Sequence, residues 1–176
     1  MKELRLRATV LGDFSTWVAL FLAAASGSAL AAGACTVSSS GLAFGAYQPV
    51  TVAGKLNSVA ATSTASVSVV CTAIATGGSY TLSLGPGTYG PGDRISVRYL
   101  INTSHGGDPM AFNAFTEPSY ASVWGDGARG AVLSGSIPPG NSSQAHTVYG
   151  RVPAGQATLK AGSYGDSITM TITYNP

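Results

Sequence analysis

Between Ser167 and Tyr174 the chain alternates without a break. Ile168, Met170, Ile172 and Tyr174 are apolar, while Ser167, Thr169, Thr171 and Thr173 carry hydroxyls. A period of two is the signature of a strand with one buried face; on a helix the same residues would scatter round the cylinder. The pattern recurs at 64–71, where Ala65, Val67, Val69 and Cys71 share one face and Ser66, Ser68 and Val70 the other. Further strand-like runs are 35–37 with a continuation at 42–45, then 80–84, 95–101, 110–115 and 145–152, with a strand end and tight turn at 123–127. Gly, Pro, Asn and Asp separate them at intervals of roughly ten residues, the spacing of a β-sandwich. The 23 glycines and only 9% charged residues suit a turn-rich all-β chain, and 45% hydrophobic residues exclude disorder. A net charge of +2 is too weak for a nucleic-acid partner.

The first residues read as a targeting segment. Lys2, Arg5 and Arg7 form a basic start, 17–25 is a short apolar core, and Ser26, Gly27, Ser28, Ala29, Leu30 and Ala31 supply small residues for cleavage. Cleavage is expected after Ala31 or Ala34, giving a signal peptide over 1–31 and one domain over 32–176. The apolar core is short for a membrane span, so an uncleaved anchor is the rival reading. Removing 1–31 takes away Lys2, Arg5, Arg7, Glu3 and Asp13 and leaves a net charge of +1. Such a neutral, hydroxyl-rich surface suits a protein packed against partners.

Cys35 and Cys71 are the only cysteines. With an export signal they predict a disulfide, worth roughly 4 kcal/mol for a loop of this length. Cys71 shares its face with the valines, which suits a buried bridge to the first strand. Catalytic residues are sparse. His105 and His146 are the only histidines and both read as surface residues. No nucleophile elbow or zinc-protease motif occurs. Asp93, Asp108, Glu117, Asp126 and Asp166 sit mostly in loops; they support neither a glycosidase pair nor a calcium cluster. The Gly/Pro-rich stretch 85–93 lacks the Lys-Ser/Thr ending of a phosphate loop and reads as a turn. Asn102 and Asn141 open glycosylation sequons, a motif common by chance. Trp124 reads as core or turn packing, with surface recognition as the alternative.

Five blocks in order carry a family resemblance: Cys35, Thr36, Val37 with Leu42, Ala43, Phe44, Gly45, Ala46, Tyr47; then Val67 to Thr72; Val123, Trp124, Gly125, Asp126, Gly127; Val148, Tyr149, Gly150, Arg151, Val152, Pro153, Ala154, Gly155, Gln156; and Ala161, Gly162, Ser163, Tyr164 with Ile168 to Tyr174. Together they resemble spore coat protein U domains, the subunit domain of bacterial archaic chaperone–usher pili. The resemblance implies an immunoglobulin-like sandwich that lacks its final strand and holds one disulfide. A periplasmic chaperone lends a strand, and the N-terminal extension of the next subunit replaces it. An outer-membrane usher and other pilin subunits are the remaining implied partners, and no cofactor, metal or enzymatic activity is implied. The edge engaged by chaperone or donor falls on Gly162, Tyr164, Ile168, Met170, Ile172 and Tyr174. Phe44, Gly45, Tyr47, Trp124, Gly125, Tyr149, Gly150 and Arg151 fall on structural motif positions.

The expectation is a non-enzymatic subunit of a secreted fibre, exported through the periplasm to the cell surface, with no membrane span after cleavage. Cleavage would leave about four residues before Cys35, too few for a donor strand of about 5–6 residues. The subunit is therefore expected to accept a strand, as a terminal or minor member. The alternative is a secreted or tip-borne carbohydrate-binding module using the loops of Trp124 and His105. The turn at 102–109 departs from the family pattern.

Overall fold

The computed structural model describes residues 33–55, 57–106 and 109–175. The expected signal peptide lies outside these residues. All regular elements described are strands: β1 (Ala34–Ser39), β2 (Ala61–Ile74), β3 (Gly78–Leu84), β4 (Arg98–Asn102), β5 (Met110–Phe115), β6 (Leu133–Ile137), β7 (Gly140–Val152), β8 (Tyr164–Gly165) and β9 (Met170–Asn175). They form two sheets, one ordered β1-β2-β7-β5-β4-β8 and one ordered β6-β3-β9, with every pairing antiparallel. The fold is an immunoglobulin-like β-sandwich. Among the described residues no helix is long and apolar enough to cross a membrane.

The alternation read from the sequence sets the inner faces. Ala65, Val67, Val69 and Cys71 of β2 are buried, as are Tyr80, Leu82 and Leu84 of β3. They meet in one cluster with Ile137 and Val148, flanked by Cys35, Val37, Met170, Ile172 and Tyr174. The smaller sheet therefore packs over the β1-β2-β7 part of the larger one. Beyond β7 the larger sheet carries a second cluster of Leu100, Met110, Phe112 and Val152. No strand of the smaller sheet contributes to it; Phe44, Tyr47, Leu159, Tyr164 and Ile168 cover it instead. Cys35 and Cys71 stand directly opposite each other in the β1–β2 ladder, 4.1 Å apart at Cα, and are joined as the expected disulfide.

The elements differ from the sequence reading at several places, and the last strand begins only at Met170, leaving Ser167, Ile168 and Thr169 outside it. β2 and β7 are longer than expected, because they pair with each other almost from end to end. A bulge between Cys71 and Ile74, with Ala73 at φ 55, turns Ile74 back into the core. The run 95–101 becomes strand only at Arg98, since the Asp93 carboxylate accepts the Ile95 and Ser96 N–H groups and folds that part into a turn. Residues 42–45 do not extend β1 as a ladder: the Ala43 N–H donates to the Ser63 hydroxyl, and Gly41 and Gly45 have positive φ. β6 was not expected.

Candidate functional site

Among the described residues β9 has a hydrogen-bonded neighbour on one side only. Its register opposes Met170 to Leu84, Ile172 to Leu82 and Tyr174 to Tyr80. Just before it, the Gly85 N–H donates to the Thr169 carbonyl at 2.9 Å. Hydrogen-bonded pairs recur at every second residue of an antiparallel ladder, so Thr171 and Thr173 turn their polar backbone toward β3. Met170, Ile172 and Tyr174 turn theirs to the other side, where among the described residues no strand is hydrogen-bonded to β9. These three also carry the inward apolar side chains, and each remains half-buried. A free hydrogen-bonding edge and an incompletely covered apolar face thus fall on the same residues.

Beside the start of this edge an apolar groove of about 1060 Å3 opens into the core. Its floor is Ala65, Leu84, Leu100, Met110, Phe112, Ala114, Trp124 and Val148, all buried, so it reaches both clusters. One wall is the segment 41–50; the other is 159–166 with Ile168 and Met170. The space is at the upper end of the roughly 300–1,000 Å3 range of small-ligand sites.

Both walls are tied down by polar bonds. The Tyr47 hydroxyl donates to Pro153 O at 2.6 Å. The Gln156 amide pairs with both backbone groups of Ala111, accepting from N–H at 2.7 Å and donating to C=O at 3.0 Å. On the opposite wall, Asn102 Nδ2 donates to Ala161 O and the Thr103 N–H to Ser163 O. The Thr88 hydroxyl donates to Ser167 O at 3.0 Å.

Of the sequence-identified edge residues, Gly162, Tyr164, Ile168 and Met170 line the groove, and Ile172 and Tyr174 continue along β9. Gly162 passes so close to Asn102 that a Cβ there would stand 2.6 Å from its side-chain amide. Tyr164 opens β8 and its hydroxyl donates to Lys160 O at 2.7 Å. Phe44 meets Phe112 edge to face at 5.8 Å between ring centres. It lies over Gly150, where a Cβ would stand 2.8 Å from the Phe44 ring. Gly45 and Tyr47 belong to the same wall. Tyr149 and Arg151 do not reach the groove: Tyr149 opposes Phe115, and the Arg151 guanidinium lies 5.5 Å above the Tyr120 ring.

Trp124 is 3% exposed, and its indole N–H donates to Leu82 O at 3.0 Å. It is a core residue, so it offers no exposed recognition surface. Gly125 continues the tight turn, its N–H donating to Ala131 O at 2.7 Å. His105 is exposed in its turn, while the side-chain Oδ1 of the buried Asn102 accepts the Ser104 and His105 N–H groups. His146 departs from its surface reading. It stands on the inner side of β7 with Nε2 2.6 Å from the Tyr80 hydroxyl, and partial burial lowers its pKa. Asp93, Glu117 and Asp126 brace their turns, while Asp108 lies outside the described residues. Asp93 is pushed down to about 2 by the Ile95 N–H, then by the Ser96 hydroxyl and N–H. Asp126 accepts from Ala128 and Arg129, and Glu117 from the Ser122 hydroxyl. Among the described residues no cluster of three or more His, Cys, Asp or Glu is disposed to hold a metal.

The floor residues Leu100, Met110, Phe112 and Ala114, and the clip Gln156, did not stand out as site residues in the sequence. Their strands were legible at 110–115, but nothing local says which cluster of the sandwich lies under an opening.

An antiparallel sandwich in which the free edge of β9 starts beside a core-deep groove defines the class. The Spore Coat Protein U domain matches residues 19–171, and the chain belongs to that family. The match begins inside the segment expected to be a leader. Among solved structures the chain is similar to one in the crystal structure of the CsuC–CsuE chaperone–tip adhesion subunit pre-assembly complex from the archaic chaperone–usher Csu pili of Acinetobacter baumannii. The identity is 20% and the TM-score 0.46, with 80% of this chain and 39% of that chain covered. No curated protein matches the chain.

Proposed function

We propose that this chain is a non-enzymatic structural subunit of a chaperone–usher surface fibre and that it accepts a β-strand along β9. The observation that carries the reading is the unpaired backbone edge of Met170, Ile172 and Tyr174, which at Met170 runs into the groove that opens onto the core. An incoming strand with apolar residues at every second position would pair with that edge and seat its side chains on the floor. Four such side chains, at about 1.5–3 kcal/mol each, supply roughly 6–12 kcal/mol before ordering costs. The partners under this reading are a periplasmic chaperone, an outer-membrane usher and other pilin subunits. Residues 1–31 serve as the leader. Cleavage after Ala31 keeps β1 whole, since Ala34 is its first residue and opposes Thr72.

Hydrogen exchange tests the reading at single amides. A synthetic peptide of about ten residues, alternating Ile or Val with Ser or Thr, is added to the purified domain. The Met170, Ile172 and Tyr174 amides are expected to gain protection, while those of Thr171 and Thr173 are already slow. Protection confined to other strands, or none, overturns the reading.

A further inference from the structure

Arg98 is 0% exposed, and it is the largest of the fully buried side chains. Among the described residues no carboxylate lies within ion-pair distance of it. Its donors go to neutral acceptors on two sheets. Nε and Nη2 donate to Gly85 O at 3.1 and 2.8 Å, and Nη2 also to Leu84 O at 3.0 Å. Nη1 donates to Asn113 Oδ1 at 2.6 Å. Asn113 is itself held by Ile95 O and Ser96 O, at 3.0 and 2.7 Å. The guanidinium thus joins β4 and β5 of the larger sheet to the end of β3 in the smaller one.

That end of β3 belongs to the groove. Leu84 is a floor residue, and the Gly85 N–H holds Thr169 O, immediately before Met170 on the opposite wall. A continuous chain of bonds therefore runs from Asn113 through Arg98 and Gly85 to the start of β9. Elsewhere apolar side chains in contact set the distance between the sheets. The groove lacks that filling, and beside it a planar cation of fixed reach, bonded to the floor residue Leu84 and to Gly85, bridges the sheets. Burying it is unfavourable, as its pKa, lowered by desolvation to about 10, reflects. An apolar residue would avoid that cost, but it would leave the Leu84 and Gly85 carbonyls without these donors and could not hold the sheets at a set spacing.

We propose that Arg98 is a positioning residue that keeps the two sheets one strand apart along the groove, so that β9 meets an incoming strand already aligned. The proposal rests on the strand-acceptor reading, and it concerns the speed of capture more than the strength of the filled state. Once a strand occupies the groove, its own side chains take over the spacing.

Two measurements test it, on wild type, Arg98→Lys, Arg98→Met and Asn113→Ala. The first is the association and dissociation rate of the same alternating peptide. The expected result is an association rate about tenfold or more lower for both Arg98 variants, with dissociation changed less than about threefold; Asn113→Ala should lie between. The second is the spin-label distance between Ala43 and Thr169, introduced through non-cysteine chemistry, in the peptide-free domain. It should shorten and broaden in the Arg98 variants. Wild-type association and an unchanged distance in a folded Arg98→Met overturn the spacer role. So does a parallel loss of stability across all variants with association unchanged among folded molecules. If Arg98→Met does not fold, Arg98→Lys and Asn113→Ala decide by the same criteria. If wild type captures no peptide, the acceptor reading fails, and the label distance alone judges the spacer.

Discussion

Replacing both cysteines with alanine, Cys35→Ala with Cys71→Ala, removes the cross-link without leaving a reactive thiol. The bridge closes a loop over a sequence separation of 36, and chain entropy makes that worth about 4 kcal/mol at 25 °C through the unfolded state. Domains of this kind hold about 5–15 kcal/mol in total, so a large share is at stake. The structure adds a second reason for weight on this bond. β1 is an edge strand whose only ladder is with β2, so without the bridge its ordering rests on that ladder and on Cys35 and Val37 packing against the first cluster. Urea unfolding should show the variant less stable by about 4 kcal/mol, with a somewhat steeper denaturant dependence as the released chain expands. Saturating donor peptide should raise both proteins equally and leave the difference intact, because the bond acts on the unfolded chain. A loss below about 1 kcal/mol would refute the loop-entropy argument. A loss that vanishes when peptide is bound would instead place the effect in the native groove.

Trp124→Ala should cost about 3–5 kcal/mol, through the cavity left in the core and the lost bond to Leu82 O; thermal unfolding measures it, and a neutral result would contradict the buried placement. The native pKa of His146 lies below its ordinary 6.5, so the unfolded chain takes up a proton that the folded one resists. Stability is full above pH 6.5 and falls as pH drops through that value; the pH 5 to 7.5 difference in Tm should shrink in His146→Gln, and an unchanged difference would rule this residue out as the source. Gln156→Ala should free Ala111 and loosen the wall that starts at Leu159, costing about 1–3 kcal/mol and speeding exchange of the Ala111 amide. N-terminal sequencing of the exported protein should begin at Ala32, which keeps Ala34 of β1; an uncleaved start at Met1 would count against the leader assignment.

Much of the fold was readable one strand at a time. Ala65, Val67, Val69 and Cys71 declared an inner face, and the inward position of Cys71 placed the bridge. The failures have local causes. Leu133, Ser134, Gly135, Ser136 and Ile137 alternate, but the run is only five residues long with a glycine at its centre; they form β6, and a Cβ at Gly135 would crowd the Tyr80 hydroxyl and the Gln144 amide. His146 looked like a surface residue because its role depends on Tyr80, which arrives from the other sheet. Arg98 sat inside a strand-like run with nothing to mark it as buried; its acceptors come from β5, from the last residue of β3 and from Gly85 just after it.

Alternation along a strand is a local property, since successive side chains must point to opposite faces. The sequence by itself therefore determined which residues of β9 turn inward, the all-β class and the pairing of its two cysteines. Which edge of β9 stays unpaired is not local. It depends on β3 taking one side, on β1 joining the other sheet, and on the walls 41–50 and 159–166 being held apart by bonds to residues far away in the chain. Only the tertiary arrangement could turn an alternating run of eight residues into an open edge beside a core-deep groove.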